Sequence, residues 1–338
     1  MVKGWSHLSA PLVLASLLQG GCLSPGDLGA LVPPTADQDP RLPQRAITVA
    51  GHARAIHTET FGDPSLPALF VLHGSLADYR ALRPFRVLSD RYFVVMWDQR
   101  GNGLSERITG DEYTADSMVE EIDALKEIHS PDQPITLVGH SFGAMYTALY
   151  MSRRPERVRQ AALMEPAGLN GQIFGDTFSD IINIDLFEDG LNQMFWQNEV
   201  LSPTDHEVLD YRALMLLLNG DQTNYHCDPE NPPRLHVWRP GGHVEYLRGV
   251  ITGGGATSGS FDFDFAAGLD AFPAKALLIG GECSALGPDF QTRYHVPLFR
   301  EAEVVSIPDA GHRLFVEQFE AVLAALRGYL DEYANAPP

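Results

Sequence analysis

The chain of 338 residues holds only three cysteines, at positions 22, 227 and 283, too few for a scaffold built on disulfides. It lacks any stretch of 18 or more apolar residues, so no ordinary transmembrane helix is expected. Basic residues are also scarce: 24 Lys and Arg stand against 44 Asp and Glu, a formal net charge of -20 at pH 7. Phosphate binding needs clustered Lys and Arg, so no nucleic-acid partner is expected. What is present is a globular balance, 44% apolar and 20% charged. At this length a fold buries roughly three-quarters of its unfolded surface, so neither metals nor disulfides are required for stability. One large α/β domain, or a core carrying an inserted lid, fits best. The 31 glycines and 24 prolines predict many turns.

Residues 1–21 open with Met-Val-Lys and run apolar from Leu8 to Leu18, interrupted by Pro11, which is the layout of a secretory signal. The run ends in Leu18-Gln19-Gly20-Gly21-Cys22 and resembles a bacterial lipobox, with Gln19 where that pattern prefers a small aliphatic residue. The resemblance implies an exported protein anchored to the membrane only through a lipid on Cys22; ordinary signal cleavage into the periplasm is the alternative. Residues 22–45 are polar and Pro-rich and read as a tether. With Cys22 lipidated, Cys227 and Cys283 remain, either as a disulfide or as two free thiols.

A hairpin is expected from Ile47 to Glu59, turning at Ala50-Gly51-His52. Apolar runs at 68–72, 92–97, 135–138, 159–164, 275–279 and 303–307 read as strands, most of them buried on both faces. Helical stretches lie between them, among them Ser117 to His129 with Met118, Ile122, Leu125 and Ile128 on one face, and Phe315 to Tyr333 at the end. Strands alternating with helices imply a doubly wound, mostly parallel sheet with its ligand at the carboxyl ends of the strands. The alternation is expected over residues 46–170 and again over 269–338. Between them, residues 171–268 show no buried-strand run and read as a largely helical cap, with a helix candidate at Thr204–Asn219 whose Met215–Leu218 run packs or lines an acyl pocket. This segment carries 15 acidic and 4 basic residues, which would draw cationic groups toward the mouth. His226, Cys227, Asp228, His236 and His243 match no zinc spacing, so neither a metal nor a cofactor is expected.

The motif that carries chemistry is Gly139-His140-Ser141-Phe142-Gly143, placed after a buried strand and before the helix candidate Ala144–Arg154. G-x-S-x-G in a strand–turn–helix context is a nucleophile elbow, a tight turn that projects a serine hydroxyl. On these residues the chain resembles the serine hydrolases of the α/β-hydrolase superfamily, and the α/β-hydrolase fold is the fold expected. Further motifs follow in that order: His73-Gly74-Ser75, Asp98-Gln99-Arg100-Gly101-Asn102-Gly103 and Ile307-Pro308-Asp309-Ala310-Gly311-His312. The resemblance implies Ser141 as nucleophile, His312 as general base, the backbone N–H groups of Ser75 and Phe142 as oxyanion hole, and a structural role for Asp98 and Arg100.

One position departs from the family pattern. Where the superfamily usually places an Asp, Gly281-Glu282-Cys283-Ser284 supplies a serine, which cannot hold an imidazolium as a carboxylate does. Glu165 is the leading candidate, because some haloalkane dehalogenases carry their Glu at the corresponding place after the nucleophile helix; Glu282 and Asp289 are the runners-up. Replacing Ser284 is then expected to cost little. A serine at the elbow, where dehalogenases and epoxide hydrolases need an attacking carboxylate, implies acyl transfer to water. The substrate expected is a small-molecule ester. The run Met96-Trp97-Asp98-Gln99-Arg100-Gly101 also resembles the prolyl aminopeptidase branch, so a short peptide is the alternative, although that branch's Gly-Gly-x-x-Gly elbow and His-Gly-Gly-Pro-Gly loop are absent. The third reading is a binding protein on a hydrolase scaffold that has lost its chemistry.

Overall fold

The computed structural model describes residues 33–181, 210, 213, 224–233, 237–246, 250–251 and 261–333. Eight strands form one sheet in the order β1-β2-β4-β3-β5-β6-β7-β8. They are β1 (Gln44–Val49), β2 (His52–Phe61), β3 (Ala68–Leu72), β4 (Phe93–Trp97), β5 (Ile135–His140), β6 (Val158–Met164), β7 (Ala276–Gly281) and β8 (Ala302–Ile307). β1 and β2 form the expected hairpin, and β2 lies antiparallel to β4. All pairs from β4 to β8 are parallel.

The central strands are continuous apolar runs because both faces are covered. Phe70, Leu72, Val95, Trp97, Leu137 and Leu163 pack on one side with residues of α1 (Ala115–His129) and α2 (Phe142–Arg153). Their alternate neighbours Leu69, Val71, Val94, Met96, Val138 and Ala162 pack on the other with Leu82 and Phe85, and with Val322 and Leu326 of the carboxyl-terminal helix Phe319–Tyr333. Successive strand side chains point to opposite faces, so an uninterrupted run is what a covered sheet requires. Roughly 1.5–3 kcal/mol follows from each such fully buried large side chain, relative to exposure.

Three expectations change in detail. Ile128 is 43% exposed; after the buried stripe of Met118, Ile122 and Leu125 it is the half-buried His129 that turns inward, its ring meeting Phe70 and Phe93. The final helix is not continuous from Phe315, since Gln318 leaves helical backbone between Leu314–Glu317 and Phe319–Tyr333. The last part of the segment read as a tether is folded down: Thr35 and Ala36 are buried, and Ala36 N–H donates to Leu104 O at 2.7 Å.

Asp98 and Arg100 are structural, as expected. Asp98 accepts from Tyr79 N, Leu104 N and His57 Nδ1 within 3.0 Å, holding the turn after β4 against β2. Arg100 pairs with Glu121 of α1 at 2.8 Å and donates to Ser117 Oγ, with both charges fully buried. The chain between β6 and β7 leaves the sheet at the carboxyl end of β6, where Gly171–Ile181 forms α3. Most of Thr204–Asn219, including Met215–Leu218, lies outside the described residues, as do residues 1–32 with Cys22.

Candidate active site

Ser141 stands between the end of β5 and the first turn of α2 with φ 54° and ψ -122°. A serine at positive φ is strained, and such strain persists only where the surroundings impose it. They do so here through close approach. A Cβ on Gly139 would collide with the carbonyl of Gly143, and a Cβ on Gly143 would collide with the carbonyl oxygens of Leu72 and His73. The glycines of the motif therefore let strand, helix and the loop after β3 share one point. A Cβ on Gly74 would stand 2.9 Å from Ser141 Cβ, so that loop lies against the serine.

The same loop carries Ser75, whose N–H enters no backbone hydrogen bond among the described residues. Phe142 opens α2, and its N–H is one of the unsatisfied donors at a helix start. Both expected oxyanion donors thus stay open. Gln99 anchors the loop from beneath, with Nε2 donating to His73 O at 2.8 Å and its backbone N–H donating to His73 Nε2 at 3.1 Å.

Glu165 follows β6, also at positive φ (48°), and is fully buried. His312 Nδ1 meets its Oε2 at 2.6 Å, which leaves Nε2 as the ring nitrogen outside this bond. Glu165 also accepts from Gly281 N at 2.6 Å and from Ser284 Oγ at 2.8 Å. The serine that occupies the usual Asp position is therefore a partner of the carboxylate, and the expectation that its loss costs little is revised. Glu282 and Asp289 are exposed, and neither reaches His312: Glu282 accepts instead from Asp309 N. Both runners-up fall away.

Burial dominates the electrostatics. It pushes the Glu165 carboxyl up to about 8; the Gly281 and Ser284 donors and His226 pull it back, while the charge of Glu317 adds to the rise. His312 is driven down to about 3, by burial first and then by Arg313 and His226. Each group alone resists charge, so the pair is driven toward holding one proton with no net charge, and its titration belongs to both members. Burial likewise keeps His140 neutral, its pKa well below 6.5, and its Nε2–H donates to His312 O at 2.7 Å.

Several positioning residues had no sequence signal. Tyr225 O accepts from His312 N at 2.5 Å, and its ring stacks edgewise on that of His312 at 5.3 Å. His226 pairs with Glu317 at 3.0 Å. These contacts join residues far apart in sequence, so no local pattern reveals them; for Ser284 the departure from the family pattern was itself the available signal. Of the set weighed for a metal, Cys227 is joined to Cys283 in a disulfide, His226 faces Glu317, His243 packs 5.2 Å from Phe142, and His236 lies outside the described residues. The disulfide resolves the two cysteine alternatives, and among the described residues no three His, Cys, Asp or Glu converge as metal ligands.

Comparison with known proteins shows what the chain as a whole is similar to. The chain is 21% identical over 295 residues to the proline iminopeptidase PfmaB of Pestalotiopsis fici, covering 80% of this chain and 94% of that one. It is 35% identical over 136 residues to a 2-hydroxymuconate semialdehyde hydrolase of Pseudomonas sp. (strain CF600), covering 37% and 44%. The esterase RhEst1 from Rhodococcus sp. ECU1013 superposes with a TM-score of 0.61 at 13% identity, over 86% of this chain and 100% of that one, a likeness of fold. The family model described as alpha/beta hydrolase fold matches residues 67–319, well over half of the sequence, and the chain belongs to that family.

Proposed function

We propose that the protein is a serine hydrolase that cleaves a small-molecule ester through an acyl-enzyme on Ser141. The observation that carries this reading is the 2.6 Å contact between Glu165 and His312 Nδ1, beside a strained serine turn with two open N–H donors. In the reaction Ser141 Oγ attacks the acyl carbon and passes its proton to His312 Nε2. Glu165 holds Nδ1–H and stabilises the imidazolium. The N–H groups of Ser75 and Phe142 receive the oxyanion, each worth a few kcal/mol at the transition state. The alcohol leaves with the proton from Nε2, and water then repeats the sequence, releasing the acid and restoring Ser141.

A short peptide is the second reading, favoured by the proline iminopeptidase relative that this chain spans almost end to end and by the 15 acidic residues of the insertion, which suit an N-terminal ammonium. Export and a lipid on Cys22 rest on residues 1–22; the Cys227–Cys283 disulfide suits an oxidising compartment. Labelling by a fluorophosphonate probe tests the chemistry. Rapid labelling that vanishes in Ser141→Ala is expected, and a wild type that stays unlabelled while hydrolysing esters would overturn it. Turnover of p-nitrophenyl esters against prolyl p-nitroanilides separates the two substrate classes, and mass spectrometry of the native protein decides whether Cys22 is acylated.

A further inference from the structure

Residues 224–233 belong to the insertion, yet their contacts converge on the loop that carries His312. Asn224 O accepts from Ala285 N at 2.8 Å, and the Cys227–Cys283 disulfide ties the segment to the turn that holds Ser284. The other contacts reach three consecutive residues. Gly311 N donates to Glu317 Oε2 at 2.5 Å, and Glu317 in turn holds His226, whose side chain is almost fully buried. His312 N donates to Tyr225 O, and Arg313 Nη1 donates to Pro233 O. A Cβ on Gly311 would collide with the carbonyl of Tyr225, so the two backbones lie in direct contact. His140 holds the same residue from the elbow, its Nε2–H donating to the carbonyl of His312 and its ring 4.7 Å from that of His312.

We infer that the segment Asn224–Pro233, closed by the Cys227–Cys283 disulfide and the His226–Glu317 pair, is a positioning strap that holds His312 in register with Glu165 and Ser141. The inference rests on the serine-hydrolase reading. Tyr225, His226, Glu317 and the disulfide are positioning residues: none of them is required to touch substrate. Reduction by a dithiol breaks the Sγ–Sγ bond, leaves thiols on Cys227 and Cys283, and converts the dithiol to its cyclic disulfide. The strap then keeps only its hydrogen bonds. A displacement on the order of 1 Å at a catalytic group costs up to about a hundredfold in rate, so a loosened strap acts on kcat before it acts on KM.

The test compares wild type, the Cys227→Ala/Cys283→Ala double variant, Glu317→Gln and Glu317→Ala. The measurements are ester turnover, fluorophosphonate labelling rate, near-ultraviolet circular dichroism and thermal melting. Wild-type labelling at Ser141 is the check on the hydrolase reading, and its absence would remove both claims together. Given that labelling, the double variant is expected to stay folded at the assay temperature, lose about tenfold in kcat and labelling rate, and keep KM within about twofold. Glu317→Ala is expected to lose a similar factor and Glu317→Gln to recover most of it, because an amide still accepts from Gly311 N.

Glu317→Gln also removes a negative charge beside Glu165. His226, Arg313, His140 and Tyr225 are the other titratable groups facing the pair. With Glu317 neutral the pair gives up its proton more readily, so the acid limb of the kcat/KM profile moves to lower pH. A folded double variant with wild-type kcat, or Glu317→Ala with wild-type kcat and an unmoved acid limb, would sink the strap and leave the hydrolase reading intact. If the double variant melts below the assay temperature, the Glu317 series decides by itself.

Discussion

The site turns on how one buried carboxyl group is kept able to ionise. Glu165 has no exposed surface, and hydrogen bonds, helped by the nearby His226, offset the cost of its charge. Gly281 N–H and Ser284 O–H supply two of them, and the imidazole of His312 supplies the third. Glu165→Gln should lower kcat by about 10³- to 10⁴-fold with the fold retained, as loss of a triad acid does; steady-state turnover with circular dichroism checks it. Ser284→Ala should cost less, about tenfold in kcat/KM for one hydrogen bond to a charged group. Its sign in pH is specific: the hydroxyl favours the carboxylate, so its loss raises the pH at which the pair gives up its proton. The acid limb of the profile should therefore move upward in Ser284→Ala, opposite to Glu317→Gln. A limb that stayed in place would show that Ser284 only packs. The position was conspicuous in the sequence for lacking a carboxylate, but what the hydroxyl does there depends on Glu165, 119 residues earlier in the chain.

At the scale of elements, the elbow works because β5, α2 and the loop after β3 meet without side chains between them. Gly143→Ala would drive a methyl group into the carbonyls of Leu72 and His73, and so displace the loop that presents Ser75 N–H. It should reduce kcat by at least about 10²-fold, the scale of losing one oxyanion donor, while melting shows a destabilisation of roughly 1–3 kcal/mol from overpacking. The strands themselves were legible as apolar runs, and their bounds shift by only a residue or two. Ile128 differs because a four-residue window of helix leaves two candidates for the last inward-facing position; contact with Phe70 and Phe93 gives it to the half-buried His129. The break at Gln318 had no proline or glycine to announce it.

For the whole molecule, the sheet is held from within by a charge as well as by apolar packing. Arg100 and Glu121 are both without exposed surface and bind each other at 2.8 Å. Glu121→Gln would leave Arg100 charged and uncompensated, and breaking a buried pair from one side costs about 3–5 kcal/mol; urea titration should show that loss of stability, and a loss under about 1 kcal/mol would contradict it. The net charge of -20 acts at longer range. Cationic esters should show a higher kcat/KM than neutral isosteres at low ionic strength, with the advantage shrinking as salt is added.

By itself the sequence determined the class of sheet, the elbow at Ser141 and the histidine loop at 312, because each is written in consecutive residues: apolar runs for strands covered on both faces, glycines where backbones touch, a fixed order of motifs. It ranked Glu165 first as the acid, ahead of Glu282 and Asp289, on a resemblance and not on a distance. Only the tertiary structure seated Glu165 on His312 while leaving Glu282 and Asp289 in solvent. Only it closed Cys227 on Cys283, 56 residues apart, and brought Tyr225 and His226 against the histidine loop. Contacts between distant segments depend on how the covered sheet gathers its carboxyl-end loops, and no local spacing encodes that.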